Sequence, residues 1–211
     1  MNLRRLRRCS RCRGDPHMPL SKEHKAATRE RILAQASALF RRDGVDGVSV
    51  PALMKEAGLT HGGFYAHFPS KDALIAEAVT RSLEEKTDHM VATAGRSEGS
   101  PRDRAAAAID EYVSRGHRDH PETGCAIAAL GAETSRGDAV IQRAMADGAR
   151  QAVERLSETL GLGEHASDEV LALYAGMIGA LVLARACRED KELSDRILEV
   201  CRERLKKSFA A

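Results

Sequence analysis

The stretch GLTHGGFYAHFPSKDALI, residues 58–75, decides the fold of this chain. A short helix that Ser49 can cap precedes it, and Gly58 then allows a left-handed turn. Thr60 can cap the next short helix, which Pro69 ends because a proline disfavours helix at the residue before it. A helix, a three-residue turn and a second short helix together predict a helix-turn-helix, a motif whose second helix enters the major groove of DNA.

Aromatic residues crowd into this stretch, although the chain has only four Phe, three Tyr and no Trp. Phe64 and Phe68 are four residues apart, so they share one helix face and are expected to anchor the helix to the core. Tyr65 lies on a different face, where its hydroxyl can reach a phosphate. The adjacent Gly62 and Gly63 carry no side chains, so the backbone can approach DNA closely.

The segments on both sides continue the helical pattern. From Thr28 onwards apolar residues recur with helical spacing, and Gly44 is expected to end that helix. Ser70 with Asp72 opens a further helix. No alternating apolar run predicts a strand, and the abundance of Ala, Leu, Glu and Arg favours helix. The sequence therefore predicts an all-α protein of about nine helices, the later ones near residues 102–118, 122–135, 138–160, 167–187 and 190–208.

The chain divides by charge and pattern into three parts. We expect a basic flexible arm over residues 1–22, a homeodomain-like helix-turn-helix DNA-binding domain over residues 23–70, and a larger helical domain over residues 71–211. Ten basic and only three acidic residues fall within the first 31, although the net charge of the whole chain is +2. A basic end on a mildly acidic body indicates a polyanionic partner.

The same composition argues against several other kinds of protein. Five irregularly spaced cysteines fit a reducing cytoplasm better than a disulfide framework. The longest apolar run, residues 170–184, is shorter than the roughly 20 residues that a membrane span needs, so we expect no membrane partner. No Walker loop, GxSxG, HExxH or dinucleotide fingerprint is present, so we expect neither an enzyme nor a cofactor. Cys9 and Cys12 have zinc-ligand spacing, but one CxxC with a single nearby histidine does not predict a metal site.

A longer string carries a more specific signal. TRERILAQASALF, residues 28–40, followed by VSVPALMKEAGLTHGGFYAHFPSKDALI, residues 48–75, resembles the DNA-binding domain of the TetR/AcrR family of bacterial transcriptional regulators. The resemblance implies DNA contacts at Ser49, Thr60, His61, Gly62, Gly63, Tyr65, His67 and Lys71. Many members carry base-reading side chains where this chain has two glycines, so direct readout would rest on His61, Tyr65 and His67, together with DNA shape.

The resemblance also implies a homodimer through the last two helices, and a repressor released from a palindromic operator by an effector. Small residues in LALYAGMIGALVLARA, residues 171–186, permit the close helix packing that such an interface needs, although some of them must serve the chain's own core. An effector that prefers another spacing of the two recognition helices would lower the affinity for DNA.

The effector is less well defined by the sequence. By the resemblance, a small-molecule pocket lies among the middle helices, and its candidate residues are Tyr112, His117, Cys125, Glu133, Met145, Tyr174 and Met177. The segment GCAIAALGAE, residues 124–133, resembles a segment of the NemR-like, electrophile-responsive members of the family. Cys125 begins a predicted helix, where the helix dipole favours a reactive thiolate. The alternative is that Cys125 is a small buried hydrophobic residue.

Three alternatives stay open at this point. The basic arm could make the protein a non-specific architectural DNA-binding protein. Cys125 with nearby histidines could act as a nucleophile in an enzyme that turns over electrophiles. His117, His120 and Cys125 could bind a metal, although Pro121 is expected to break the helix that would bring them together.

Overall fold

The computed structural model describes residues 22–162 and 167–209 of the chain. Within these ranges the protein is all-α, as predicted, and contains nine α-helices and two short 3-10 helices, His61–Ala66 and Pro121–Thr123. The α-helices are α1 (Lys22–Asp43), α2 (Val50–Glu56), α3 (Lys71–Gly95), α4 (Pro101–Tyr112), α5 (Arg115–Asp119), α6 (Ala126–Thr134), α7 (Ala139–Leu160), α8 (Ser167–Ala186) and α9 (Lys191–Ser208). The basic arm lies almost entirely outside the described residues, as do Cys9 and Cys12.

The helix-turn-helix forms where the local signals predict it. The Ser49 hydroxyl accepts a hydrogen bond from the Ala52 N–H at 3.3 Å and caps α2. Gly58 has a φ of 69°, the left-handed conformation that favours glycine. Thr60 stands at the N-terminus of the following helix, although its side chain makes no capping hydrogen bond. The turn between the two helices is therefore set by a glycine and not by side-chain capping at Thr60.

The second helix of the motif differs from an ordinary α-helix. His61–Ala66 is a six-residue 3-10 helix. Two consecutive glycines weaken helix propagation, and Pro69 leaves no room for another turn, so the tighter and shorter form is favoured. Phe64 and Phe68 are buried and stack with ring centroids 5.8 Å apart, which confirms their role as anchors.

The long helix α3 joins the helix-turn-helix to the rest of the protein. Ser70 caps it by accepting a hydrogen bond from the Ala73 N–H at 3.1 Å. Its first turns bury Leu74 and Ile75 in the core, and its length packs against α1, α4 and α7. Because α3 runs without interruption for 25 residues, the division at residue 70 falls at the start of a shared helix. That division stays a prediction.

Two predicted helices are interrupted. The helix expected over residues 102–118 ends at Tyr112, and a separate short helix α5 begins after Ser114. The Ser114 hydroxyl accepts a hydrogen bond from the His117 N–H at 3.1 Å, so a new cap competes with helix continuation. The helix expected from residue 122 begins only at Ala126, after the 3-10 turn Pro121–Thr123.

Helix α8 is apolar on both faces. One face buries Val170, Tyr174, Met177 and Leu181 against the protein. By length and composition alone, the segment Asp168–Ala186 would suffice to cross a membrane, but a core helix satisfies the same criterion. Its contacts with α5, α6, α7 and α9 place one side of this helix in the core of the larger domain.

Candidate nucleic-acid interface and thiol site

The 3-10 helix presents one aromatic side chain to solvent. Tyr65 is 67% exposed, and its ring rests edge-on against the buried ring of Phe64 with a centroid distance of 5.2 Å. The ring position is thus fixed by the core, while the hydroxyl points away from it. His61 and Thr60 are exposed on the same short segment. The arrangement offers donors that can reach phosphates or base edges.

Gly62 has no evident role inside the chain. A Cβ atom at this position would meet nothing within 4 Å, and at Gly63 it would make only ordinary contact with the methyl group of Met54 at 3.7 Å. Neither glycine has a positive φ. Since internal packing and backbone conformation leave room for a side chain at Gly62, the open space suits the close approach of an external partner.

Two other predicted DNA contacts are already engaged within the protein. The Ser49 hydroxyl caps α2. The Lys71 Nζ donates to the Val45 carbonyl oxygen at 2.5 Å. A lysine ammonium has three donors, so this bond orients Lys71 and leaves capacity for a phosphate.

His67 is only half exposed. Its Nδ1 atom is buried and has no hydrogen-bond partner in the described part of the chain. Burial lowers the pKa of His67, and the positive charges of Lys25 and Arg29 lower it further. Arg29 also lies over the Phe68 ring at 4.5 Å and pairs with Glu77. Lys25 and Arg29 of α1 therefore lie beside the end of the 3-10 helix His61–Ala66, which is the recognition helix of the motif. The sequence did not single them out as contacts.

A second site forms around Cys125. This residue is fully buried at the N-terminus of α6, and its Sγ lies 3.7 Å from the Tyr174 hydroxyl. Its backbone N–H donates to His117 Nε2 at 3.0 Å. His117 Nδ1 in turn lies 2.8 Å from the Tyr112 carbonyl oxygen, so the ring is a neutral imidazole with its proton on Nδ1. Burial, assisted by the charge of Lys86, lowers the pKa of His117 to about 3.

Two phenols complete the surroundings of the thiol. The Tyr112 and His117 rings meet edge-on at 4.5 Å, and the Tyr112 and Tyr174 rings at 6.1 Å. Burial, and secondly the proximity of Cys125, raises the pKa of both tyrosines above their usual range. The Tyr112 hydroxyl is buried without a hydrogen-bond partner among the described residues. A negative charge on Cys125 would therefore find neutral hydroxyl donors beside it.

Two guanidinium groups lie near the same thiol. Arg185 donates to the His117 carbonyl oxygen at 2.6 Å, and its Nη1 is buried with no partner in the ranges that the structure describes. Arg41 of α1 donates through Nε to the Glu122 carbonyl oxygen at 2.9 Å. Burial lowers the pKa of both arginines, whereas charge on Cys125 acts in the opposite direction. Two cationic side chains of α1 and α8 therefore lie within electrostatic reach of the buried sulfur.

Four of the effector candidates, Tyr112, His117, Cys125 and Tyr174, lie together, and we define them as the thiol cluster. Met177 lies in the core and Met145 is half buried on α7. Glu133 is near the other end of α6, about 12 Å from Cys125 at 1.5 Å per residue. Its carboxylate accepts hydrogen bonds from the backbone of the α1–α2 turn. Glu133 therefore lies apart from the thiol cluster, and its role in an effector pocket stays a prediction.

A polar cavity of about 570 Å³ lies directly behind His117. Its walls include Lys86, His89, Glu111 and His120. Lys86 and Glu111 form an ion pair at 2.6 Å, and both are mostly buried. Since His117 lines this cavity and also accepts a hydrogen bond from the Cys125 N–H, the cavity adjoins the thiol cluster. The histidine–cysteine metal alternative gains no support here, since no group of three or more ligands is arranged for a metal in residues 22–162 and 167–209.

Helices α8 and α9 together expose several large apolar side chains to solvent. Leu171, Val182 and Leu183 of α8 are exposed, as are Leu193 and Val200 of α9. Among the small residues of α8, Ala180 and Ala184 are buried in the chain's own core, and a Cβ at Gly176 would lie 2.7 Å from Leu205 of α9. Gly179, in contrast, faces open space. Leu171, Gly179 and Val182 therefore leave an accessible apolar stripe along α8.

The comparisons with known proteins agree with this architecture. The family model for bacterial regulatory proteins of the tetR family matches residues 32–78, which contain the helix-turn-helix. The HTH-type transcriptional repressor NemR of Escherichia coli is 26% identical over 190 residues, covering 86% of this chain and 96% of NemR. An HTH-type transcriptional repressor of Mycobacterium tuberculosis is 28% identical over 200 residues, covering 90% of this chain and 98% of its own.

Solved structures extend the match over nearly the whole chain. The crystal structure of the reduced form of E. coli NemR superposes with a TM-score of 0.73 at 27% identity, covering 86% of this chain and 96% of that one. A TetR transcriptional regulator from Chloroflexus aurantiacus gives a TM-score of 0.69 at 27% identity, with 89% and 96% covered. These relatives are transcriptional regulators and not enzymes. The helix-turn-helix region of this chain thus matches the tetR family model, and its fold is similar to that of TetR-family transcriptional regulators along most of their length.

Proposed function

We propose that this protein is a homodimeric repressor that binds a palindromic operator in the cytoplasm and leaves it when an effector binds or modifies the larger domain. The proposal that the protein binds DNA rests on the arrangement of side chains on the recognition helix. Tyr65 is held on Phe64 with its hydroxyl exposed, beside a glycine whose missing side chain serves no contact within the chain. Direct readout then rests on His61, Tyr65 and the backbone at Gly62.

The open face of α8 and α9 supports the dimer. Leu171, Gly179 and Val182 leave α8 accessible to a second copy, and Leu193 and Val200 continue the apolar surface on α9. Large apolar side chains exposed together on two adjacent helices indicate an interface. A two-fold dimer places two recognition helices on half-sites related by the same symmetry, which requires a roughly palindromic operator.

The thiol cluster supports a thiol-reactive effector. The Tyr174 hydroxyl lies 3.7 Å from Cys125 Sγ, and Arg41 and Arg185 lie within electrostatic reach of it. Reaction with an electrophile adds a substituent to Sγ in a space with no room for it, so α6 or its neighbours must shift. The solved structure of the relative NemR is of its reduced form. Complete burial of Cys125 restricts the effector to small molecules.

The test is operator selection from a random duplex library before and after treatment with a small thiol-reactive electrophile. We expect a palindromic motif that is lost on treatment of the wild type and kept in Cys125→Ser. Cys187→Ser is the matched control, because Cys187 is a second free cysteine outside the thiol cluster, and it should respond like the wild type. If no motif is enriched, sequence-specific regulation is wrong and non-specific DNA binding takes its place.

A second effector class is favoured by the polar cavity behind His117. Its volume of about 570 Å³ suits a small ligand, and its Lys86–Glu111 ion pair offers both charges. A palindrome that is indifferent to electrophile treatment would identify this reversible mode. Substitution of His89, which is exposed at the cavity and not in the thiol cluster, would then change the response to the ligand.

A further inference from the structure

The turn that follows α1 is built to hold an anion. Gly44 ends the helix with a φ of 80°, and this left-handed residue turns the next two backbone N–H groups towards a common point. Successive amides arranged in this way form a concave anion site. The anion that occupies the site belongs to the protein itself. Val45 N–H donates to Glu133 Oε2 at 3.0 Å, and Asp46 N–H donates to Glu133 Oε1 at 2.8 Å.

The Glu133 carboxylate packs closely against residue 44. A Cβ there would lie 3.1 Å from Glu133 Oε2, so the carboxylate sits against the turn. Val45 is fixed from its other side as well, because its carbonyl oxygen accepts from Lys71 Nζ. Val45, in the turn between α1 and α2, is thus held by Glu133 of α6 and by Lys71 of α3.

The segment that precedes α6 is also attached to the DNA-binding domain. Arg41, in the last turn of α1, donates to the carbonyl oxygen of Glu122 in the 3-10 helix Pro121–Thr123. The end of α1 and the turn after it therefore contact the larger domain at two places, Glu122 before α6 and Glu133 near the end of α6. Since Glu133 is separated from the turn by 87 and 88 residues in sequence, these two hydrogen bonds are long-range ties between the domains.

We propose that Glu133 is a positioning residue for operator binding, and that its carboxylate fixes the orientation of the helix-turn-helix on the dimerisation domain. The proposal rests on the proposed function for its DNA readout. Without this tie the recognition helix keeps its own packing on Phe64 and Phe68. However, the distance between the recognition helices of the two copies is then no longer fixed.

The experiment compares operators that differ only in the spacer between half-sites. Each added base pair changes the half-site separation by about 3.4 Å. Affinities of wild type, Glu133→Ala and Glu133→Gln are measured for the selected operator and for versions with one base pair added or removed. Glu154→Ala, which removes an exposed carboxylate from α7, is the matched control.

We expect Glu133→Ala to bind the correctly spaced operator about tenfold more weakly, since two hydrogen bonds to a charged acceptor are lost. The affinity for the wrongly spaced operators should fall by less than about threefold. The ratio of affinities for correctly and wrongly spaced operators should therefore become smaller in this variant. Glu133→Gln keeps one good acceptor and should fall between. Amide exchange at Val45 and Asp46 should accelerate in both variants and not in Glu154→Ala.

Equal losses on all spacings would show a merely destabilised protein and would overturn the positioning role. Unchanged amide exchange at Val45 and Asp46 in Glu133→Ala would overturn it independently of any operator. If the wild type selects no operator, the proposed function fails. In that case faster amide exchange at Val45 and Asp46 in Glu133→Ala would still support the tie between the domains, and unchanged exchange would overturn it.

Discussion

His117 is expected to make the protein less stable in mild acid. In the folded protein burial lowers its pKa to about 3, whereas the same side chain in the unfolded chain titrates near the ordinary value of 6.5. Between these two values the unfolded chain binds more protons, so stability rises with pH there and the contribution is complete above about pH 6.5. From about pH 8 down to about pH 5 the wild type should lose about 2 kcal/mol through this group alone.

The assay is chemical denaturation of the wild type and His117→Gln at several pH values. Other titrating groups contribute to both proteins, so the difference between the two unfolding free energies isolates His117. That difference should shrink by about 2 kcal/mol between about pH 8 and about pH 5. Parallel pH profiles would refute the argument, because they would mean that the imidazole is protonated, or solvated, in the folded state.

Three other substitutions test separate parts of the structure. Tyr65→Phe keeps the ring on Phe64 and removes only the exposed hydroxyl. Operator affinity, measured by fluorescence anisotropy, should fall about fivefold with unchanged thermal stability. An affinity equal to that of the wild type would exclude a contact between the hydroxyl and DNA. Gly58→Ala has free space for its Cβ but a φ of 69°, so backbone strain alone should cost about 1 kcal/mol in denaturant unfolding. Val182→Glu places a charge on the open α8 stripe and should yield monomers in sedimentation velocity, whereas an intact dimer would place the interface elsewhere.

Much of the DNA-binding domain could be predicted because its signals are local. Ser49, Gly58 and Ser70 act on backbone groups within three residues, and Phe64 and Phe68 meet through helical spacing. The 3-10 character of His61–Ala66 was missed, although the two glycines and the limiting Pro69 were both visible. The competition between α and 3-10 geometry over six residues depends on small energy differences that the pattern does not resolve.

The larger domain was harder to predict because its contacts join distant segments. Tyr112, His117, Cys125 and Tyr174 are all candidates for the effector pocket by the resemblance alone, and Tyr174 reaches Cys125 across 49 residues of sequence. Glu133 is an effector candidate by the family resemblance, and that role stays a prediction. Its actual partners are two backbone amides, which carry no side-chain signal in any sequence. Gly44 was recognised as a helix end, yet the anion site that its conformation creates could be seen only in three dimensions.

The complete enclosure of Cys125 has a consequence for the timing of a response. An electrophile can reach Sγ only while the surrounding side chains are transiently displaced, so local opening precedes the chemical step. At low concentrations the modification rate then rises with the concentration of the electrophile. At high concentrations it levels off at the opening rate, which is a property of the protein and not of the reagent. At such saturating concentrations the fraction of modified protein depends only on how long the exposure lasts. A brief pulse of a reactive compound therefore leaves most protein molecules unmodified, however high the peak concentration of the compound.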